Sequence, residues 1–138
     1  MKTLYTATAT ATGDGRNGHV ASDDGILDTD VRIPKAMGGA GGATNPEQLF
    51  AAGYAACFHS ALKVVAQRDG LDVTGTEVSA SVGIGANDDG GFGLEVQLDV
   101  HAPALDRATA EATVAKAHEV CPYSNATRGN IDVVLTVV

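Results

Sequence analysis

The chain contains no tryptophan, and its aromatic side chains are only three tyrosines and three phenylalanines. A core built from this sequence must rely on Ala, Val, Leu and Ile. Cysteine is also scarce. Two cysteines are too few for a disulfide scaffold. The 138 residues need none, because a domain of this length buries roughly 70% of its unfolded surface without staples. Basic residues are few, nine Lys and Arg against seventeen Asp and Glu, for a net charge of −8. They are scattered, so the basic patch that nucleic acid requires is missing. The acidity signals solubility and weak affinity for anionic surfaces. Long apolar runs are missing too. The longest in a helical pattern, Leu49 to Phe58, falls well short of the ~20 residues that cross a bilayer. The opening Met1-Lys2-Thr3-Leu4-Tyr5 alternates polar and apolar residues and lacks a signal-peptide core. The reading is one domain, residues 1–138, with no nucleic-acid or membrane partner. It is expected in the cytoplasm, where stable structural disulfides are uncommon and redox-active ones less so.

What is present is punctuated by seventeen glycines, which imply several tight turns. Strict alternation over residues 2–12 predicts a strand with one face of small residues. The turn Gly13-Asp14-Gly15-Arg16-Asn17-Gly18 follows, then a return strand from His19 to Ser22 and a third from Ile26 to Ile33. Pro34 to Thr44 reads as a glycine-rich loop. It lacks the Lys-Ser/Thr of a phosphate loop. Asn45 is a suitable N-cap, with Pro46 at N1, Glu47 in the first turn and Gln48 at N3. The helix it opens runs to about Arg68, ended by Asp69-Gly70. Because this helix is apolar almost all round from Leu49 to Phe58, it is expected to be buried.

Strands are predicted over Glu77 to Gly85 and Phe92 to His101, joined by a hairpin turn at Asn87 to Gly91. Asp106 caps a second helix to about Val120, whose inner face is read as Ala108, Ala112 and Ala115. Pro122 ends that helix and moves Cys121 out of helical geometry. Ile131 to Val138 closes the chain as a strand. The order β-β-β-α-β-β-α-β gives an α+β fold, mostly antiparallel, around a long buried central helix. A fully apolar helix under one small sheet also points to a second subunit covering its other side.

The chemistry rests on the two cysteines. Cys57 sits on the rigid central helix, and Cys121 follows a helix and precedes a proline, where backbone torsions change at small cost. An attacking thiol and a resolving thiol suit such positions. If Cys57 becomes a sulfenic acid, a second thiol condenses with it to a disulfide. The thiolate is the nucleophile, and burial alone raises a thiol's pKa. Cys57 lies three turns into its helix, beyond the reach of the helix dipole. It therefore needs a cation. His59, two residues on, faces away, and Arg68 lies roughly 16 Å along the axis. Arg16 and Arg128, in loops, are free to approach. The alternative is an inert core cysteine, since free Cys is among the most buried residue types. A Cys-His hydrolase lacks a histidine on the Cys57 face. A metal site of Cys57, Cys121 and His118 lacks a recognised ligand spacing. His19 and His101, at strand ends, read as solvated.

Two long segments, Asn45-Pro46-Glu47-Gln48-Leu49-Phe50-Ala51-Ala52-Gly53-Tyr54-Ala55-Ala56-Cys57-Phe58 and Val120-Cys121-Pro122-Tyr123-Ser124-Asn125-Ala126-Thr127-Arg128-Gly129-Asn130, resemble the organic hydroperoxide resistance (Ohr) branch of the Ohr/OsmC superfamily. The similarity includes Leu4-Tyr5-Thr6-Ala7 and Gly91-Phe92-Gly93-Leu94 and runs nearly end to end. The resemblance implies an OsmC-like fold assembled as an intertwined homodimer with two active sites at the subunit interface. It implies a cofactor-free and metal-free cysteine peroxidase of antioxidant defence. Such proteins reduce organic and fatty-acid hydroperoxides in preference to hydrogen peroxide and are recycled by a dithiol, typically a lipoylated protein. By the same resemblance Cys57 is the peroxidatic residue, Cys121 the resolving residue, and Arg16 with Glu47 the activating pair. The family's turn reads Gly-Gly-Arg-Asp-Gly, and the turn here is one residue longer before Arg16.

Glu47 and Cys57 are ten residues apart, about 15 Å on a straight helix. Either the helix breaks, near Gly53, or Glu47 serves the Cys57 of the other subunit; the second is expected. Phe58, Leu49, Phe50 and Met37 are candidate walls of an apolar pocket, or core. Two other functions remain in view. One is an OsmC-type peroxidase of broader range, against which Cys121-Pro122-Tyr123-Ser124-Asn125 argues. The other is a non-enzymatic dimeric binding protein for lipid-like ligands with inert cysteines.

Overall fold

The computed structural model describes all residues from Met1 to Val138. They form two compact units, Met1–Leu49 and Phe50–Val138. The first holds a three-stranded antiparallel meander, β1 (Ala9–Thr12), β2 (His19–Ser22) and β3 (Asp28–Asp30), in the order β1-β2-β3. The predicted strand over residues 2–12 is paired only in its last four residues. Its partner β2 ends at Ser22. There Asp24 accepts hydrogen bonds from the Ser22 hydroxyl and the Ile26 amide and turns the chain. Residues 1–8 consequently have no partner strand, and Leu4 and Tyr5 are exposed. The third strand is likewise shorter than the predicted Ile26 to Ile33, because Ile26 and Leu27 belong to that turn and Val31 bridges to Thr44 instead.

The Gly13–Gly18 turn carries Arg16 in a single 3-10 turn, Gly15–Asn17. A Cβ on Gly18 would fall 2.2 Å from the Thr12 carbonyl oxygen, so only glycine closes the turn. Arg32 holds its base, donating to the carbonyls of Gly18 (2.9 Å) and Asn17 (3.2 Å), while the Ile33 amide bonds Asn17 Oδ1 (3.1 Å). His19 is not freely solvated as read. Its ring nitrogens lie 2.8 Å from Asp30 Oδ1 and 2.5 Å from Asp28 Oδ1. Residues 34–44 are a loop with one 3-10 turn at Lys35–Met37.

Helix α1 runs unbroken from Pro46 to Arg68. Asn45 Oδ1 accepts the Gln48 amide at 2.9 Å, the expected N-cap. At the other end Gly70 is left-handed (φ 66°), and the Leu71 and Gly70 amides bond the carbonyls of Ala66 and Gln67. That pattern is a Schellman close. The whole helix of 23 residues, longer than the apolar run at its centre, meets the length and composition needed to cross a membrane. It is not buried all round. Tyr54, Phe58, Ala61, Leu62, Val65 and Ala66 are buried, whereas Ala52, Ala56, Ser60, Lys63 and Val64 are exposed. A single sheet covers one side of a helix, and the small side chains on the other side stay uncovered.

In the second unit β4 (Glu77–Ala86) and β5 (Phe92–His101) form the predicted hairpin, and β6 (Val133–Val137) adds to β5 in parallel. Asn87 Oδ1 closes the turn by accepting the Asp89 and Gly91 amides. The parallel pair follows from the helical crossover between β5 and β6. The crossover holds α2 (Arg107–Val120), capped as expected by Asp106 accepting the Thr109 amide. It also holds α3 (Pro122–Thr127), six residues that the sequence reading missed. Pro122 ends α2 and simultaneously occupies N1 of α3, a position proline favours. The face of α2 also differs from expectation. Ala110, Thr113, Val114 and Ala117 are buried, and Ala108, Ala112 and Ala115 are exposed. The core joins Tyr54, Phe58 and Leu62 of α1 to Val96, Leu98 and Val100 of β5, Val114 and Ala117 of α2, and Cys121. Phe58 is fully buried, so truncation to alanine there would cost about 3–5 kcal/mol.

Candidate active site

Cys57 and Cys121 come together in the second unit. The Cys121 thiol lies 3.6 Å from Cys57 Sγ, and both are free. A disulfide bond measures about 2.05 Å, so the two sulfurs are adjacent but not bonded. Cys57 is half-buried on α1, and Cys121 is fully buried. The expectation that Cys121 hangs on a flexible segment is corrected. Its backbone is extended (φ −61°, ψ 123°), as a residue before proline should be. It is nevertheless held on both sides, its amide bonding the Ala117 carbonyl and its carbonyl accepting the Asn125 amide, each at 2.9 Å. It is at once the C-cap of α2 and the N-cap of α3.

Burial pushes the Cys57 thiol above its ordinary value, and the neighbouring Cys121 adds to that. The one opposing influence is a hydrogen bond from the Tyr123 backbone. No basic side chain of this unit contributes. Of the histidines considered as partners, His59 bonds Thr76 Oγ1 (2.9 Å) and His118 bonds Ser124 Oγ (2.8 Å). Burial, and then Arg128, depress the His118 pKa. Arg128 is not free to approach a thiolate, since it donates to Asn125 Oδ1 (2.8 Å) and to the His118 carbonyl. No three His, Cys, Asp or Glu side chains are grouped to hold a metal ion.

Arg16 and Glu47 come together in the first unit. Both guanidinium Nη atoms bond the two carboxylate oxygens at 2.9 Å, a bidentate fork. The longer turn therefore still delivers Arg16 to Glu47. Glu47 is well sheltered and Arg16 more than a third exposed. The pairing with Arg16 holds the Glu47 carboxyl below its ordinary value and raises Arg16. Because α1 does not break at Gly53, the first way of joining Glu47 to Cys57 within one helix is closed.

Gly53 instead serves close packing. A Cβ there would meet Tyr123 Oη at 2.9 Å, so the missing side chain lets Tyr123 lie on α1 one turn before Cys57. Tyr123, Phe50 and Tyr54 form an aromatic cluster with centroids 5.7–6.3 Å apart. Of the four side chains read as pocket wall or core, Phe58 is core, whereas Leu49 and Phe50 are half-exposed and Met37 exposed. Sequence reasoning missed the hydroxyls around Cys121: Tyr54 bonds Ser124 and Thr127, and Ser124 bonds His118, which was weighed only as a metal ligand. Tyr54 was the available signal, since a tyrosine inside an apolar helical run needs a buried partner for its hydroxyl.

Known proteins resemble this chain nearly from end to end. Residues 39–136 match the OsmC-like protein family. The organic hydroperoxide resistance protein of Xanthomonas axonopodis pv. citri is 57% identical over 138 residues, covering 99% of this chain and 96% of that protein. The organic hydroperoxide resistance protein OhrB of Bacillus subtilis is 50% identical over 133 residues, 96% of each. The crystal structure of an organic hydroperoxide resistance protein from Elizabethkingia anophelis aligns with a TM-score of 0.94 at 58% identity, over 99% of this chain and 98% of that one. The structure of Bacillus subtilis OhrB gives 0.90 at 49% identity, over 99% and 100%. With its α+β architecture of two small sheets and three α-helices, the chain belongs to the OsmC-like family, in the branch of the organic hydroperoxide resistance proteins.

Proposed function

We propose that this protein is a cysteine-based peroxidase that reduces organic hydroperoxides, fatty-acid hydroperoxides included, to alcohols. The observation that carries the reading is the 3.6 Å approach of two free thiols, one half-buried and one buried. The names of its relatives supply the substrate class.

The thiolate of Cys57 attacks the outer peroxide oxygen. The O–O bond breaks, the alcohol leaves with a proton, and Cys57 becomes a sulfenic acid. The Cys121 thiol then attacks that sulfur, forming the disulfide and releasing water. An external dithiol, of the kind a lipoylated protein carries, reduces the disulfide by exchange. The first step requires a thiolate, yet burial raises the Cys57 thiol. Arg16, oriented by Glu47, is the cation the account assigns to it. Ten residues of unbroken helix separate Glu47 from Cys57, about 15 Å. The pair therefore serves Cys57 of a second copy, in an intertwined homodimer with two composite sites. The uncovered side of α1 and the unpaired, exposed residues 1–7 support such a dimer, because both offer apolar groups that a single chain leaves in water. The protein works in the cytoplasm, needs no cofactor, and draws its selectivity from apolar side chains near the thiols.

The test is peroxide consumption with dihydrolipoamide as reductant, comparing cumene hydroperoxide with hydrogen peroxide. Fast turnover of the organic peroxide, lost in Cys57→Ser, is expected. Turnover that ignores Cys57 would sink the reading. A second reading, a binding protein for lipid-like ligands with inert cysteines, draws on the raised Cys57 thiol. It requires that thiol to stay at or above its ordinary value in the assembled protein.

A further inference from the structure

The two cysteines are flanked by a continuous set of side-chain hydrogen bonds that the chemistry above leaves unused. Tyr54 Oη lies 2.9 Å from Ser124 Oγ and 3.1 Å from Thr127 Oγ1, and Ser124 Oγ lies 2.8 Å from His118 Nδ1. Tyr54, Ser124 and Thr127 are buried, so water cannot replace a lost partner. Their spacing is informative. Tyr54 stands three residues before Cys57, His118 three before Cys121, and Ser124 three after Cys121. Residues three apart on a helix share a face. Tyr54 and Cys57 therefore share a face of α1, and the bonds join that face to α3 and to the last turn of α2, the two helices that Cys121 caps. Six residues cannot hold a helix by themselves, and α3 has no side-chain cap at its start. Its anchorage comes from these hydroxyls, and Cys121 is its N-cap.

We propose that Tyr54, Ser124 and His118 are positioning residues for disulfide formation, holding Cys121 within reach of Cys57 so that the sulfenic acid is condensed before more hydroperoxide reaches it. The proposal rests on the peroxidase reading. Two reactions compete for the Cys57 sulfenic acid. In one, Cys121 displaces its oxygen, the S–S bond forms and water leaves. In the other, a second hydroperoxide transfers an oxygen to sulfur, giving a sulfinic acid and an alcohol. The first is intramolecular and depends on geometry; the second depends on peroxide concentration. Misplacing a reacting group by about 1 Å costs up to ~100-fold, so loosening α3 shifts the partition without touching either sulfur.

The experiment treats full-length protein, without reductant, with increasing cumene hydroperoxide and counts disulfide against Cys57 sulfinic acid by peptide mass spectrometry. Tyr54→Phe and Ser124→Ala each remove one hydroxyl of the set. Thr113→Val removes an equally buried hydroxyl outside it, bonded to the Thr109 carbonyl on α2. Wild type and Thr113→Val should give disulfide over the same dose range, while Tyr54→Phe and Ser124→Ala should reach half sulfinic acid at about tenfold lower peroxide. His118→Asn, which changes only a half-buried group, carries the same expectation should either hydroxyl variant fail to fold. Wild-type partition in the folded variants of the set would overturn the proposal, as would an equal shift in Thr113→Val. A wild type whose Cys57 is never oxidised would instead overturn the peroxidase reading on which it stands.

Discussion

Arg16 with Glu47 and Cys57 with Cys121 are both close pairs, but their surroundings are opposite. The ion pair is a bidentate fork with a cation more than a third exposed, and it has no nucleophile bonded to it. The thiol pair sits among apolar and aromatic side chains, and no cation of its own unit opposes the rise of the Cys57 thiol. Each lacks what the other has. A buried thiol without a cation is inert, and an arginine fixed by a carboxylate beside no reactive group is an ordinary ion pair. The comparison teaches why the proposed active constellation is a composite of two copies, and α1 supplies the reason. It carries Glu47 in its first turn and Cys57 three turns later, without a break.

The sharpest way to break that comparison is to remove the nucleophile. Cys57→Ser should reduce turnover of cumene hydroperoxide to the uncatalysed rate in a coupled assay. Next comes the cation. Arg16→Ala should raise the Cys57 thiol further, read as the pH dependence of alkylation by iodoacetamide, and slow peroxide reduction about a hundredfold. Glu47→Gln keeps the guanidinium but loses the two-point fork, and about a tenfold loss is expected. An Arg16→Ala variant with unchanged alkylation profile would separate the two pairs for good.

The smallest effects are on stability against pH, and groups of the first unit bend it in opposite directions, Glu47 and His19 among them. The Glu47 carboxyl lies below its ordinary 4.5 because of Arg16. Its contribution is complete above 4.5 and is lost as pH falls through the lower folded value. The His19 imidazole lies above its ordinary 6.5, because of Asp30 first and Asp28 next. Its contribution is complete below 6.5 and is lost as pH rises through the higher folded value. Urea midpoints followed from acid to mildly alkaline pH should show both slopes. His19→Gln should flatten the alkaline slope and, because Asp30 loses the partner that holds its carboxyl below the ordinary value, part of the acid one, whereas Glu47→Gln should flatten only the acid one.

Element ends were legible in the sequence because caps are local chemistry. Asn45, Asp106, Gly70 and the Asn87 to Gly91 turn all act as their residue types predict. The face of α2 was not legible. Alanine stands at so many of its positions that periodicity has little contrast, and Thr113 and Val114 fix the buried side. Helix α3 was hidden because Pro122 reads as the end of one helix before it reads as the start of another. Alternation over residues 2–8 was plain, but a strand also needs a partner, which no pattern in those residues names. At the site, the cysteines announced themselves, whereas Arg16 was one of two candidate cations, and its choice over Arg128 and its pairing with Glu47, 31 residues away, came only through the family resemblance. The hydroxyls around Cys121 join positions up to 73 residues apart, and single Ser, Thr and Tyr side chains carry no periodic signature.

The central claim, that one copy's Arg16 activates another copy's Cys57, is tested most directly by mixing two inactive variants. Cys57→Ser and Arg16→Ala proteins are unfolded together and refolded, and cumene hydroperoxide reduction is measured. In a mixed dimer, the Cys57 of the Arg16→Ala chain meets the Arg16 of the Cys57→Ser chain, so one of two sites is whole. Random pairing then restores about a quarter of the wild-type sites. A mixture as inactive as either parent would place Arg16 and Cys57 of a working site on one chain, or on none.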